Sequence, residues 1–339
     1  MQIASVIGSR LRYGFEPQSP FDRRALPIYL WIGAISLLGA VMMTITGFRF
    51  NFRLATGLAT WGISLLVASW LLRRIGHSKI ATAIEGTTLT FTQGFAYLFL
   101  DYPSAALSRS LSDGLLSRID QILGFSWVDA VTAIGRHPLM MQVAHHVYHS
   151  FNWQAVIIVP TLAAVGLSDR VWRFVLASNW ALALTSLIFP FLPAEGPYLY
   201  SGLPASNFKD LAGGGAWHFG VVIHLIKDHG ARYIDGNLIA GLVSFPSFHA
   251  AAAVLFAWAA WPVKLLRWPL LILNIGMGLS AIPIGDHYLV DIVAGAAVGA
   301  ISIFFVHFGR QELSRLVARR PSPVRPPQIP ANQETVRLN

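Results

Sequence analysis

Eight stretches dominated by apolar residues divide this chain, at 27–47, 54–72, 80–101, 152–168, 173–192, 248–264, 268–284 and 290–308. About 20 residues is the length at which an α-helix crosses the hydrocarbon core of a bilayer. Inside lipid no backbone N–H or C=O can turn to water, so such stretches must become helices that satisfy their own hydrogen bonds. The expected fold class is therefore all-α, a polytopic membrane helical bundle of about eight transmembrane helices. Composition agrees: 54% of the 339 residues are apolar, mean hydropathy is +0.54 and only 12% are charged, about half the share in soluble domains. The third stretch carries Glu85, Thr87, Thr88, Thr90, Thr92 and Gln93, and is expected to face the bundle interior rather than lipid.

Charge sets the expected orientation. With the N-terminus cytoplasmic, the inside segments hold 17 of the 25 basic residues, among them Arg23, Arg24, Arg73, Arg74, Lys79, Arg170, Arg173, Lys264 and Arg267. The positive-inside rule favours that topology and places His249 and His287 at the same, extracytoplasmic, end of their helices, with both termini inside the cell. The net charge of +9 lies in short loops and tails, without a basic face of interleaved aromatics, so membrane headgroups account for it and nucleic acid is not an expected partner. There is no cysteine, which excludes disulfides, a thiolate nucleophile and a cysteine metal site. The first stretch, after Arg23-Arg24, has no clear small-residue cleavage site and reads as a retained anchor.

The chemistry concentrates in two short segments. Ser244-Phe245-Pro246-Ser247-Phe248-His249 opens one apolar helix, and Gly285-Asp286-His287-Tyr288-Leu289-Val290-Asp291 opens the next but one. Ionisable groups at the ends of hydrophobic spans are costly and point to function. His287 and Asp291 share a helical face, so the carboxylate can hold the proton on one ring nitrogen and leave the other free to attack. Asp291 can also act as an acid complementing a helix N-terminus. Pro246 and Ser247 suit a helix start, whose N–H groups favour an anion. A phosphate resting there would have an imidazole on either side, one to attack phosphorus and one to protonate the leaving oxygen.

These residues carry a resemblance. Pro246-Ser247-Phe248-His249 is similar to the Pro-Ser-Gly-His element of the type 2 phosphatidic acid phosphatase superfamily, and His287-x3-Asp291 to its His-x3-Asp element. The Phe248 variant, the Gly-Asp-His-Tyr context and Pro190-Phe191-Leu192-Pro193-Ala194-Glu195-Gly196-Pro197 resemble the inositol phosphorylceramide synthase branch. The likeness is carried by residues 186–300. It implies a six-helix phosphatase-like core, no cofactor and no metal, with His287 as nucleophile forming a phosphohistidine, Asp291 orienting it and His249 as general acid. Ser247, with Pro246 and Phe248 beside it, would bind the phosphoryl oxygens. The family's Arg six residues before the nucleophile is here Ala281. A base from an outside segment is therefore expected at the phosphate: Arg136 first, then Arg232 and Lys209, with Lys227 also in reach.

The remaining polar features have blander readings. His145 and His149 share a helical face as a metal pair would, but lack a third ligand, and His149 is better placed for the substrate headgroup. Asp113, Asp120 and Asp129 are expected to face solvent on an amphipathic interfacial helix, and Glu195 to meet a headgroup or water. The chain divides into a cytoplasmic segment (1–26), N-terminal transmembrane helices (27–101), a phosphatase- or phosphotransferase-like membrane domain (102–308) and a disordered, basic, Pro-rich tail (309–339). The expected function is hydrolysis or transfer at a lipid phosphate or phosphodiester, with water or a polyol such as inositol as acceptor. The alternative is a non-catalytic lipid-phosphate binder or transporter that retains the pocket.

Overall fold

A computed structural model describes residues 22–203, 216–236 and 239–318 of the chain. Lys209, the 213–215 glycine run and the tail beyond residue 318 lie outside the described residues. Helices α1 (Leu26–Thr46), α2 (Phe52–Arg74) and α3 (Ser78–Leu107) come first. Three shorter ones follow, α4 (Asp113–Ile122), α5 (Trp127–Gly135) and α6 (Pro138–His149), and then α7 (Phe151–Ala164) and α8 (Ser168–Ile188). The one-turn α9 (Pro197–Tyr200) and α10 (Ala216–Lys227) precede α11 (Phe248–Ala260), α12 (Lys264–Ser280) and α13 (Leu289–Ala318). Among the described residues, strand structure is limited to β1 (Arg49–Phe50) and β2 (Tyr233–Ile234), which pair in parallel.

Local chemistry sets the helix ends. Pro27 sits in the first turn of α1, where its missing N–H costs nothing, and Gly47 closes the helix in the left-handed conformation at φ 75°. Asn51 caps α2, its side chain accepting from the N–H groups of Arg53 and Leu54.

All eight apolar stretches are helical, and among the described residues four helical segments are both long and apolar enough to cross a membrane: Arg23–Thr46, Phe52–Arg74, Ser168–Phe191 and Leu289–Phe308. The others depart for identifiable reasons. Helices α7, α11 and α12 have only 14, 13 and 17 residues. Helix α3 has 30 residues but carries polar side chains, and as expected these face inward: it packs against α1, α2, α7 and α8, with Glu85, Thr88 and Gln93 buried. Glu85 accepts from Arg73 Nη2 at 2.6 Å and from Tyr29 OH at 2.7 Å, so its charge is paired. On α1, by contrast, Leu30, Leu37 and Ile45 point outward, each about two-thirds exposed. Such apolar faces are what lipid covers, and the chain is an all-helical membrane protein.

Helices α11 and α13 form the closest packed pair bearing on the site. Gly295 and Gly299, one turn apart, face the Ala250–Ala253 run of α11; a Cβ on Gly295 would lie 2.1 Å from Ser247 O. Small residues at that spacing let two backbones touch. This contact sets Ser247, at the start of α11, beside the start of α13.

Helix α4 corrects one expectation. Asp113 and Asp120 do not face solvent: each is only 2% exposed. Asp113 accepts from the N–H groups of Glu195 and Gly196 (3.0 Å each) and from Tyr288 OH (3.1 Å). Asp120 accepts from Leu289 N (2.8 Å) and Val290 N (2.9 Å), the orphan donors at the head of α13. The acids follow the same helical spacing that a solvated face would show, but their partners lie far along the chain. Asp129 alone of the three is exposed.

Candidate active site

The turn before α13 presents His287. Trp127 Nε1 donates to its carbonyl at 3.0 Å, and the Asp120 pair fixes the residues just after it. Asp286, at φ 56°, takes the left-handed conformation that Asp tolerates better than most residues. Its Oδ1 accepts from Tyr198 N at 2.8 Å, and its Oδ2 fills the space where a Cβ on Gly196 would stand. Gly196 is therefore required by this close approach. Burial drives the Asp286 carboxyl well above the usual range and raises Asp113 as well.

The His287 ring is held at both nitrogens. Nδ1 lies 3.2 Å from Asp291 Oδ2, which also accepts from Tyr288 N at 3.0 Å. A carboxylate can only accept, so Nδ1 carries the proton and Nε2 the lone pair. Nε2 is 3.2 Å from Ser247 Oγ. That oxygen in turn accepts from Ala250 N at 3.4 Å as the cap of α11, and Ser247 N donates to Asp291 O at 3.1 Å. The two segments read from the sequence are thus one hydrogen-bonded unit.

Ser247, His287 and Asp291 stand in the order of a serine-hydrolase triad, yet the roles differ here. Ser247 is wholly buried and its oxygen is engaged in capping, whereas His287, 5% exposed, lines a cavity of about 430 Å³. His249 lines the same cavity, stacked on Tyr148 with ring centroids 4.2 Å apart and against Phe151 at 4.6 Å. Tyr148 OH lies 3.3 Å from His249 Nδ1. The candidate reactive atoms are Nε2 of His249 and Nε2 of His287, the latter shared with Ser247 Oγ.

The structure brings His249, His287, His149 and Phe248 to the cavity wall, with Ser247, Asp291 and Pro246 packed directly behind. It does not bring the expected bases there. Arg136 is exposed at the end of α5. Arg232 donates to the carbonyls of Ile226 and Ala231 and lies over the Phe48 ring. Lys227 donates to Ser108 O, Ser108 Oγ and Arg109 O. Among the described residues no Lys or Arg lines the cavity; His145, His149 and His218 do. Burial and the neighbouring His145 and His146 hold His149 below the usual histidine range. Among the described residues no group of three or more potential metal ligands forms a site. Glu195 turns away, bonded to His224 Nε2 at 2.5 Å.

A second cavity of about 430 Å³ adjoins the first and shares Gly94, Leu98, Phe151, Leu182 and Phe248 with it. Its own walls include Phe91, Phe95, Phe174, Leu255 and Phe256. This second cavity is largely apolar and lies between α3, α7, α8 and α11. Reading the sequence alone missed Tyr148, Trp127 and the roles of Asp113 and Asp120.

The match to known families covers the same region. The model for the PAP2 superfamily matches residues 114–305. No curated protein and no solved structure matches the chain.

Proposed function

The chain belongs to the PAP2 superfamily, and on that footing we propose that it is an integral-membrane enzyme acting on a lipid phosphate or phosphodiester through a phosphohistidine on His287. The observation that carries this reading is the His287 ring, oriented by Asp291 at Nδ1, held by Ser247 Oγ at Nε2, and lining a cavity shared with His249. In the first step Nε2 of His287 attacks phosphorus, the bond to the leaving oxygen breaks, and His249 supplies that oxygen's proton. In the second, water or an alcohol attacks phosphorus, His249 takes the proton, and the N–P bond breaks to restore His287. The head of α11 and the imidazole N–H groups would face the phosphoryl oxygens. The adjoining apolar cavity suits acyl chains, which favours a lipid substrate.

This reading extends to the inositol phosphorylceramide synthase-like branch, to eight spans with both termini cytoplasmic, and to the phosphatase- or phosphotransferase-like domain at 102–308. A site turned toward the extracytoplasmic face and largely closed to water would permit transfer to a polyol beside hydrolysis.

A second reading, a lipid-phosphate binder without turnover, is favoured by the absence of Lys or Arg from the described cavity wall. Purified protein presented with phosphatidate in mixed micelles separates the two. The enzyme reading expects phosphate release that His287→Ala abolishes and His249→Ala slows by roughly 10²–10⁴-fold. Saturable binding without release, in parent and variants alike, would establish the binder.

A further inference from the structure

The cavity has a second polar end that the histidine chemistry does not use. Asp101, near the end of α3, lines it together with Ser186 and Thr185 of α8. Asp101 is only 9% exposed and Ser186 7%. The Ser186 hydroxyl approaches the Asp101 carboxyl as its hydrogen-bonding neighbour, and apart from each other Asp101 Oδ1 and Ser186 Oγ are buried without a partner. Thr185 is already engaged, donating to the carbonyls of Ala181 and Leu182. Buried polar atoms are almost always satisfied, and a carboxyl group left without a donor is costly. Within a membrane bundle such a residue points to a ligand. Asp101 also precedes residue 114, where the family match begins, so the match assigns it no role.

We propose that Asp101 and Ser186 bind a hydroxyl group of the molecule that reacts at the histidine end, a reading that rests on the function proposed above. A hydroxyl is a group that fits this pair. It donates to Asp101 Oδ1 and can accept from the Ser186 hydroxyl, which an apolar group cannot do. The hydroxyl can belong to the headgroup of the substrate or to a separate alcohol acceptor; the chemistry at Asp101 is the same.

Binding measurements on the purified full-length protein test this without requiring turnover. Ethyl phosphate, which has no hydroxyl, is compared with glycerol 3-phosphate, and with ethyl phosphate plus free glycerol. A hydrogen bond to a buried carboxyl group is worth about tenfold in affinity. Glycerol 3-phosphate should therefore bind about tenfold tighter than ethyl phosphate if the hydroxyl belongs to the headgroup. Free glycerol should tighten or add to ethyl phosphate binding if it belongs to an acceptor. Either gain should vanish in Asp101→Asn and in Ser186→Ala while the Kd of ethyl phosphate stays put. Ser186→Ala carries the test if Asp101→Asn does not fold. Ethyl phosphate binding with no hydroxyl gain, or a gain that survives in the variants, overturns the second polar end alone. So does a gain shown only by phosphoethanolamine, which would mark an ammonium site. Failure of ethyl phosphate to bind at all overturns the proposed function and this inference with it.

Discussion

At the level of single residues, the account depends on which proton His287 carries. Asp291 is buried beside Nδ1 and also accepts from Tyr288 N and Ser244 Oγ. Asp291→Asn keeps the volume and the bond to Tyr288 N but can present an N–H to the ring, favouring the wrong tautomer. Turnover should fall on the order of 10²–10⁴-fold with melting temperature little changed. Activity near that of the parent would reduce Asp291 to an acid at a helix N-terminus. His287, Asp291, Ser247 and His249 could be singled out from the sequence because their relations are local: a spacing of four on a helix, or a Pro-Ser pair ahead of an apolar run. Tyr148 and Asp101 could not, since each acquires its place only when helices distant in the chain pack together. Asp113 and Asp120 were misjudged for the same reason, because nothing within α4 distinguishes an acid facing water from one facing Glu195 N or Leu289 N.

At the level of elements, the site depends on how closely α13 meets α11. Gly295→Ala would set a methyl carbon 2.1 Å from Ser247 O, forcing the helices apart at the residue that meets His287. Overpacking of this kind costs about 1–3 kcal/mol, so both melting temperature and turnover should drop. Gly57→Ala on α2, with nothing within 4 Å of the new carbon, is the control and should be neutral or slightly stabilising. If Gly295→Ala behaves like the control, the helix contact does not position Ser247.

Helix α10 offers a test in pH. His224 lies between Asp228 and Glu195, 2.5 Å from each, joining α10 to the loop that Asp113 holds. Hydrogen bonds to Asp228 and then Glu195 raise its pKa above the ordinary 6.5. A raised folded-state pKa contributes stability that is fully present below the unfolded value and is lost as pH climbs through the folded one. Melting temperature should thus decline as pH rises beyond about 6.5, and His224→Gln should flatten that decline. An equal slope in both proteins would show that His224 is not a charged link.

For the whole molecule, the run of apolar stretches was enough to foresee an all-helical membrane protein, because lipid leaves a long apolar segment no other backbone solution. Length and hydropathy mark four membrane-crossing segments among the described residues, fewer than the apolar stretches, because bundle-facing helices such as α3 trade hydropathy for interior hydrogen bonds. The cavity was not foreseeable in shape, since its described walls come from six helices and two loops. Its residues nevertheless converge on one chemical claim, that His287 and not Ser247 receives the phosphoryl group. The most direct measurement is rapid acid-free quench of the purified protein with a lipid phosphate radiolabelled at phosphorus, followed by peptide mapping. The account expects a label that is stable to alkali and lost in acid, on the peptide containing His287, and absent from His287→Ala. An acid-stable label on the peptide containing Ser247, or phosphate release at full rate from His287→Ala, would contradict it.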